Sequence, residues 1–257
     1  MRDAASWTAT KYVFKGKELR GSRDPRFVRL ESRLITDLIA AAYQRNLPSR
    51  CRGRLLDLGC GSVPLYGLYR SLPTTVVCAD WANSLHGNAH FDVLCDVNRP
   101  LPFVDRSFDI VVLSDVLEHV AEPAELISEI ARVLTTGGDL LMSVPFLYWI
   151  HEAPHDYFRY TEFALRRLLE RAGLRVISVE SLGGLPEVLA DLTAKGLVRL
   201  PILGRAVAKL LQDLVGFIGR HRNLSSLTSP TSRIFPLEYF VIAEKSGAVL
   251  DAPGSVE

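Results

Sequence analysis

The chain has 257 residues, enough for one hydrophobic core with room for an insertion. Hydrophobic residues make up 48% and charged residues 23%, the balance of a globular enzyme rather than a disordered or fibrous chain. A formal net charge of +1 gives no basic field to draw in nucleic acid, so no nucleic-acid partner is expected.

The N-terminus carries no apolar stretch of signal-peptide length, and no window approaches about 18 uninterrupted apolar residues. A cytoplasmic protein is expected, neither exported nor membrane-spanning. Cys51, Cys60, Cys78 and Cys95 form no C-x-x-C pair and read as reduced thiols, not as a disulfide frame or zinc site.

Asp24–Asn46 reads as one helix ahead of the first strand. Arg54–Leu58 (RLLDL) is a buried-strand pattern ending at glycines, and Leu65–Leu72 can form a helix started by Pro64. Thr75–Ala79, ending at Asp80, is a second strand, and His90–Leu94 a third. Phe108–Leu113 (FDIVVL) is the fourth. Pro123–Leu134 is an amphipathic helix with Gly137–Gly138 past its end, leading into a fifth strand at Asp139–Val144. Thr161–Ala172 is a helix with Thr161 as N-cap and Gly173 at C′, and Leu174–Ser181 is a sixth strand. Leu185–Arg222 has helical periodicity, residues 225–232 are rich in Ser and Thr, and Leu237–Glu244 is a last strand before a loose tail.

Strands alternating with helices imply βαβ units, and fully apolar strands such as IVVL suit a sheet covered on both faces. Right-handed crossovers then set the loops after the strands along one ligand-binding edge. The expected class is α/β, a Rossmann-like doubly wound, mostly parallel sheet. Its parts would be an N-terminal helical cap (1–50), a cofactor-binding domain (51–184 and 235–245) and a helical insertion (185–234).

The densest cluster is LLDLGCGSVPLYGLY, where a strand runs through Gly59-Cys60-Gly61 into a helix start. Glycines admit a ligand close to the backbone, and a helix start offers free N–H groups. Asp57 beside the loop would repel a phosphate but suits the cationic amine of an amino-acid-bearing ligand. Asp80, at the next strand end, can accept both hydroxyls of a ribose, and Trp81 can pack on an adenine face. Asp96 can accept from an exocyclic amine, with the Val97 N–H donating to a ring nitrogen. Three acids on successive strand ends thus describe one ligand: amine, ribose and adenine.

DLGCG at 57–61, the acid at 80, CDV at 95–97, FDIVVLSDVLEHV at 108–120 and the GG turn before DLLMSVP together resemble class I S-adenosylmethionine-dependent methyltransferases, most closely the broad type 11 group. The resemblance covers roughly residues 50–181. It implies S-adenosylmethionine as cofactor and a seven-stranded sheet whose last strand is antiparallel, which Leu237–Glu244 suits. Ser114, closing the fourth strand, and His119 beyond it are taken as cofactor-side residues; His119 serves equally as a wall or helix-start residue. The family loop carries a further glycine where this chain has Val63. That departure keeps open a cofactor-binding module without turnover. A nicotinamide oxidoreductase on the same sheet is a third reading, opposed by Asp57.

HEAPHDYFRYT, His151–Thr161, falls after a strand on the same edge. Its start matches H-E-x-x-H, but Pro154 would sit inside the required helix and no third ligand is evident, so no metal is expected. Similar stretches occur in methyltransferases of bacterial glycan and natural-product gene sets. The acceptor is therefore placed here: His151 or His155 as general base, Asp156 orienting a histidine, Arg159 holding an anionic group, and Tyr157 and Tyr160 lining a ring. Asp156 and Arg159 can equally pair with each other. The expected reaction is O-methylation of a sugar, a glycan or glycolipid precursor, or a small metabolite. Lys195, Arg199, Arg205, Lys209, Arg220 and Arg222 give the 185–222 segment a basic amphipathic character that suits the inner face of a membrane, a lid or a dimer face.

Overall fold

The computed structural model of the protein describes residues 1–82, 90–220 and 229–247. Arg222, residues 225–228 and the tail from 248 lie outside the described residues.

The chain opens with a hairpin, β1 (Tyr12–Lys15) and β2 (Glu18–Gly21), turned at Gly16-Lys17 with Gly16 at φ +63°. A glycine at the first turn position is what a tight two-residue hairpin requires. The expected N-terminal helix is shorter and later: α1 runs Arg33–Arg50 after one 3-10 turn at Leu30–Ser32. Asp24 accepts from the Arg26 N–H at 2.9 Å, a local turn that competes with helix, and Pro25 lies within it. Residues 1–50 therefore hold a hairpin as well as a helix.

There follow β3 (Arg54–Leu58), α2 (Tyr66–Tyr69), β4 (Thr75–Asp80), β5 (Val93–Leu94), β6 (Phe108–Ser114), α3 (Pro123–Val133), β7 (Leu134–Pro145), α4 (Glu162–Arg171), β8 (Leu174–Leu182), α5 (Leu185–Leu197), α6 (Gly204–Arg220) and β9 (Glu238–Lys245). The helix expected over 65–72 is a single turn, and the third strand shrinks to two residues. β7 begins five residues early, leaving α3 directly at Leu134, so the Gly137-Gly138 turn lies inside a bulged strand. A side chain on Gly138 would strike the Thr135 carbonyl at 2.9 Å. The segment expected to be helical over 185–222 breaks between α5 and α6, at Pro201.

Seven strands form one sheet in the order β5-β4-β3-β6-β7-β9-β8, parallel except that β9 runs antiparallel to both neighbours. Alternation along the strands fills two cores. Leu56, Val111 and Leu140 face α3 and α4, with Ile127 and Leu165. Leu55, Ile110 and Val112 face α1, with Tyr43 and Tyr69. Each fully buried leucine contributes about 2 kcal/mol, so burial on both faces makes the sheet the rigid frame of the rim.

α5 and α6 lie between β8 and β9 in sequence and pack on the start of α1. Buried Gln212 accepts from the Leu34 N–H at 2.8 Å and donates to the Glu31 carbonyl at 3.0 Å. The other side of α6 leaves Val207, Leu210, Leu214 and Phe217 exposed, and Leu203 just before it is exposed as well. Among the described residues no helix is long and apolar enough to cross a membrane.

Candidate active site

The carboxyl ends of β3, β4 and β5 form one half of a rim. Gly59 and Gly61 turn the chain after β3 with φ of +69° and +52°. Val63, where the resemblance leads one to look for a third glycine, also has a left-handed φ of +52° and is fully buried. The valine thus keeps the backbone path that glycine would supply, at about 1 kcal/mol of strain. A side chain on Gly59 would meet Val116 Cγ2 at 2.5 Å, so the loop must be glycine to lie against the turn after β6. The loop N–H groups are not free, contrary to expectation. Those of Gly59 and Cys60 donate to the Ala79 carbonyl at 2.8 and 3.2 Å, and that of Gly61 donates to Asp80 Oδ2 at 2.7 Å. The loop is clasped to the end of β4.

Asp57 is also corrected. Its side chain is buried, and Oδ2 accepts from the Tyr69 hydroxyl at 2.5 Å rather than facing the open rim. Burial pushes this carboxyl up to about 7, with the Asp80 charge adding to the rise and the Tyr69 bond opposing it. Asp80 Oδ1 accepts from the Trp81 N–H at 2.8 Å. Asp96, one strand further out, accepts from the Asn98 N–H at 3.0 Å and lies 3.4 Å from the Arg99 guanidinium. Val97 packs against the first core, and Cys60 is buried. The three acids do occupy successive strand ends; Asp57 and Asp80 are buried, and Asp96 is half-exposed.

The other half is built from β6, β7 and β9 and the loop at 151–160. That loop is not helical, so His151 and His155 do not share a helical face as H-E-x-x-H requires. It is stitched to the turn after β6. The Tyr157 N–H donates to the Glu118 carbonyl at 2.9 Å, and the Tyr160 hydroxyl to the Leu117 carbonyl at 3.1 Å. His119 Nδ1 lies 2.7 Å from the His155 carbonyl. His155 stands edge-on to Trp81, ring centres 5.6 Å apart, with Nδ1 3.1 Å from the Tyr157 hydroxyl. His151 packs instead against His119, at 4.8 Å.

Two substrate-side expectations change. The five N–H donors of Arg159 are taken up by Asp156 (2.6 and 2.7 Å) and by the carbonyls of Tyr148, Trp149 and Phe158. Arg159 therefore locks the loop and has no donor for an anionic acceptor. Asp156 also accepts from the His151 N–H at 2.8 Å and lies 3.4 Å from His151 Nδ1, so the histidine it stands beside is His151 and not His155. Tyr160 is buried and cannot line an open site, whereas Tyr157 is exposed.

Sequence reasoning missed a polar group at the centre of this half. Asp115, at a left-handed φ of +54°, pairs with Lys11 at 2.7 Å and accepts from the Ser143 hydroxyl at 2.5 Å. Burial alone would raise its carboxyl, but the Lys11 charge together with hydrogen bonds from Glu238, Lys11 and Ser143 brings it down to about 2. Ser114 Oγ lies 3.3 Å from Ser143 Oγ. Glu118 and Glu238 are buried close by, and burial together with the Asp115 charge pushes both carboxyls well above their ordinary value. Strain and shifted acids gather at functional sites. The signal available in sequence was DVLEH itself, two acids and a histidine just after an apolar strand.

The N-terminal segment closes over the seam. Trp7 Nε1 donates to the Val63 carbonyl at 3.1 Å, and Thr10 Oγ1 lies 3.0 Å from Ser62 Oγ.

A seven-stranded sheet with its penultimate-positioned strand reversed, a glycine turn after β3 and acids at the next two strand ends define an S-adenosylmethionine-dependent methyltransferase. Residues 30–179 match the family model described as a methyltransferase domain, and the chain belongs to that family. A Dinoroseobacter shibae protein named ubiquinone biosynthesis O-methyltransferase is 31% identical over 172 residues, 56% of this chain and 69% of its own length. A Mycolicibacterium smegmatis protein described as a probable S-adenosylmethionine-dependent methyltransferase is 34% identical over 146 residues, 52% of this chain and 56% of its own. The crystal structure of an S-adenosylmethionine-dependent methyltransferase from Archaeoglobus fulgidus shares the fold, with a TM-score of 0.54 at 18% identity over 84% of this chain and 97% of that one.

Proposed function

We propose that the protein transfers a methyl group from S-adenosylmethionine to a hydroxyl oxygen of a sugar, a glycan or glycolipid precursor, or a small metabolite. The observation that carries this reading is the seating of His155: its ring abuts Trp81 at the end of β4, on the seam between the two halves of the rim. The O-methyltransferase name of the Dinoroseobacter relative supports an oxygen acceptor.

The residues present fit the cofactor. Gly59 and Gly61 keep side chains off the loop, and carboxylates at Asp80 and Asp96 stand at adjacent strand ends. Asp80 would hold the ribose and Asp96, with the Val97 N–H, the adenine edge; a carboxylate already bonded to an N–H still has lone-pair sites to offer. When bound, the cofactor supplies a methyl group activated by a sulfonium charge. His155 takes the acceptor proton: with Nδ1–H donating to the Tyr157 oxygen, Nε2 carries the lone pair that acts as base. Tyr157 fixes that tautomer and borders the acceptor. Asp156 and Arg159 hold the loop in place for this step.

The acceptor is met at an anionic membrane surface. The exposed apolar stripe of α6 runs beside a groove of about 620 Å³ whose lining is six cations (Lys15, Arg20, Arg23, Arg33, Lys209 and Arg220) with one acid, Asp213, and Phe217. Apolar insertion flanked by cations is the pattern of a helix lying in an anionic interface. Lys195, counted among the surface cations at the sequence level, is instead buried, paired with Asp191 and 4.1 Å from the Tyr148 ring centre.

The test is transfer of labelled methyl to a panel of sugars, glycolipid precursors and phenols, with and without anionic vesicles. Transfer to a hydroxyl that falls about a hundredfold in His155→Ala supports the reading. Transfer only to nitrogen or carbon acceptors, or full activity in His155→Ala, overturns it. Vesicle co-sedimentation lost in Leu210→Glu/Leu214→Glu supports the membrane contact; equal pelleting of both proteins removes it.

A further inference from the structure

Glu118 is fully buried, yet neither of its carboxylate oxygens has a hydrogen-bond partner among the described residues. A buried polar atom left without a partner costs about 1–3 kcal/mol, more when it is charged. Two imidazoles face this carboxylate: His119 Nε2 lies 3.6 Å from Oε1 and His151 Nε2 lies 3.9 Å from it. Both separations are too long for hydrogen bonds. The three ligand atoms lie within 4.8 Å of one another, and Glu152 Oε2 is 4.0 Å from His119 Nε2.

The far sides of the rings define what those nitrogens carry. His119 Nδ1 sits 2.7 Å from the His155 carbonyl, which can only accept, so Nδ1 holds the proton and Nε2 a lone pair. His151 Nδ1 lies between Asp156 Oδ2 at 3.4 Å and Arg159 Nη2 at 3.5 Å, which leaves its Nε2 facing Glu118. An imidazole backed by a carbonyl or carboxylate and presenting its other nitrogen is the usual outer arrangement of a metal-bound histidine.

The geometry points to a divalent first-row transition-metal site formed by Glu118 Oε1, His119 Nε2 and His151 Nε2, with Glu152 beside it. Ligands about 2.0–2.2 Å from such a cation stand roughly 3.4 Å apart, so these atoms need to close by between about 0.2 and about 1.4 Å. Two imidazoles with one or two carboxylates favour Zn²⁺, Mn²⁺ or Fe²⁺ over Mg²⁺. A cation here gives Glu118 the partner that the protein does not. It also ties the turn after β6 to the 151–160 loop, and leaves coordination positions for an acceptor oxygen, whose proton it would make easier to remove. The site stands apart from the identity of the acceptor or the base, and its readout is metal, not turnover.

The experiment strips the full chain with a chelator, re-equilibrates it with Zn²⁺ or Mn²⁺, removes excess metal and measures the metal retained. In parallel it titrates Co²⁺ and follows its visible absorption. About one cation per chain is expected, with affinity at least a hundredfold weaker in Glu118→Gln and in His151→Ala, while His155→Ala retains it. Melting curves establish that each variant is folded. Wild-type protein that retains no metal and develops no Co²⁺ band overturns the proposal whatever the variants do. So does a His155→Ala protein that loses metal as fully as His151→Ala.

Discussion

The two halves of the rim are built on opposite plans. Around β3, β4 and β5 the rim is shaped by the main chain: left-handed turns at Gly59, Gly61 and Val63, and a loop clasped to Ala79 and Asp80. Around β6, β7 and β9 it uses side chains gathered from distant places: Lys11, Asp115, Glu118, His151 and Glu238. A ligand common to a whole family can be written into one contiguous turn. An acceptor particular to one protein is recognised by groups that only folding brings together.

If that division holds, changes in the two halves separate cleanly. The largest effect is expected from His155→Ala, which lowers kcat about a hundredfold and leaves S-adenosylhomocysteine affinity within about threefold of wild type. Steady-state kinetics beside calorimetric titration checks it; a matching loss of cofactor affinity would merge the two halves. Next is Asp80→Ala, which weakens S-adenosylhomocysteine binding about thirtyfold, ~2 kcal/mol, because both the ribose acceptor and the clasp on Gly61 disappear. Titration calorimetry measures it, and unchanged affinity would remove Asp80 from the cofactor half.

Arg159→Ala leaves the buried Asp156 carboxylate without its partner and is expected to lower stability by somewhat under 2 kcal/mol in urea unfolding. A stable variant with a raised acceptor KM alone would instead make Arg159 a substrate contact. The smallest effect belongs to Asp57. Its folded-state value, near 7, lies above that of the unfolded chain, near 4, so the folded state holds the proton more tightly. Its contribution to stability is full below pH 4 and is lost as pH rises toward 7. Asp57→Asn should flatten that decline and add about 1 kcal/mol at pH 8. Denaturant midpoints at pH 4, 6 and 8 test it; parallel pH profiles for the two proteins would show that Asp57 titrates normally.

The same division explains what could be read in the sequence. Strands at 54–58, 75–80 and 108–114 were legible as largely apolar runs, and 174–182 as a mixed β-branched segment between Gly173 and Gly183. Thr161 was legible as a cap, and its hydroxyl accepts from the Ala164 N–H at 3.3 Å. The β1–β2 hairpin was missed because its short alternation carries only a Gly-Lys turn signal. Asp57 was placed at the ligand because spacing gives a residue's position along a strand but not the direction of its side chain. The phenol that takes it, Tyr69, stands on the next helix. The Glu118, His119 and His151 cluster was invisible for a stronger reason. Spacing within 151–161 carries no trace of Glu118 and His119, which lie more than thirty positions upstream and meet His151 only in the fold.

Gln212 has a consequence for how the whole molecule is oriented. Its amide grips a donor and an acceptor at the start of α1 from a buried position, so α6 cannot roll about its axis without breaking both bonds. The angle between the leucine ridge of α6 and the mouth of the sheet is fixed at folding, like a keel set to a hull. Any flat surface that seats the ridge must meet the mouth of the sheet at one inclination.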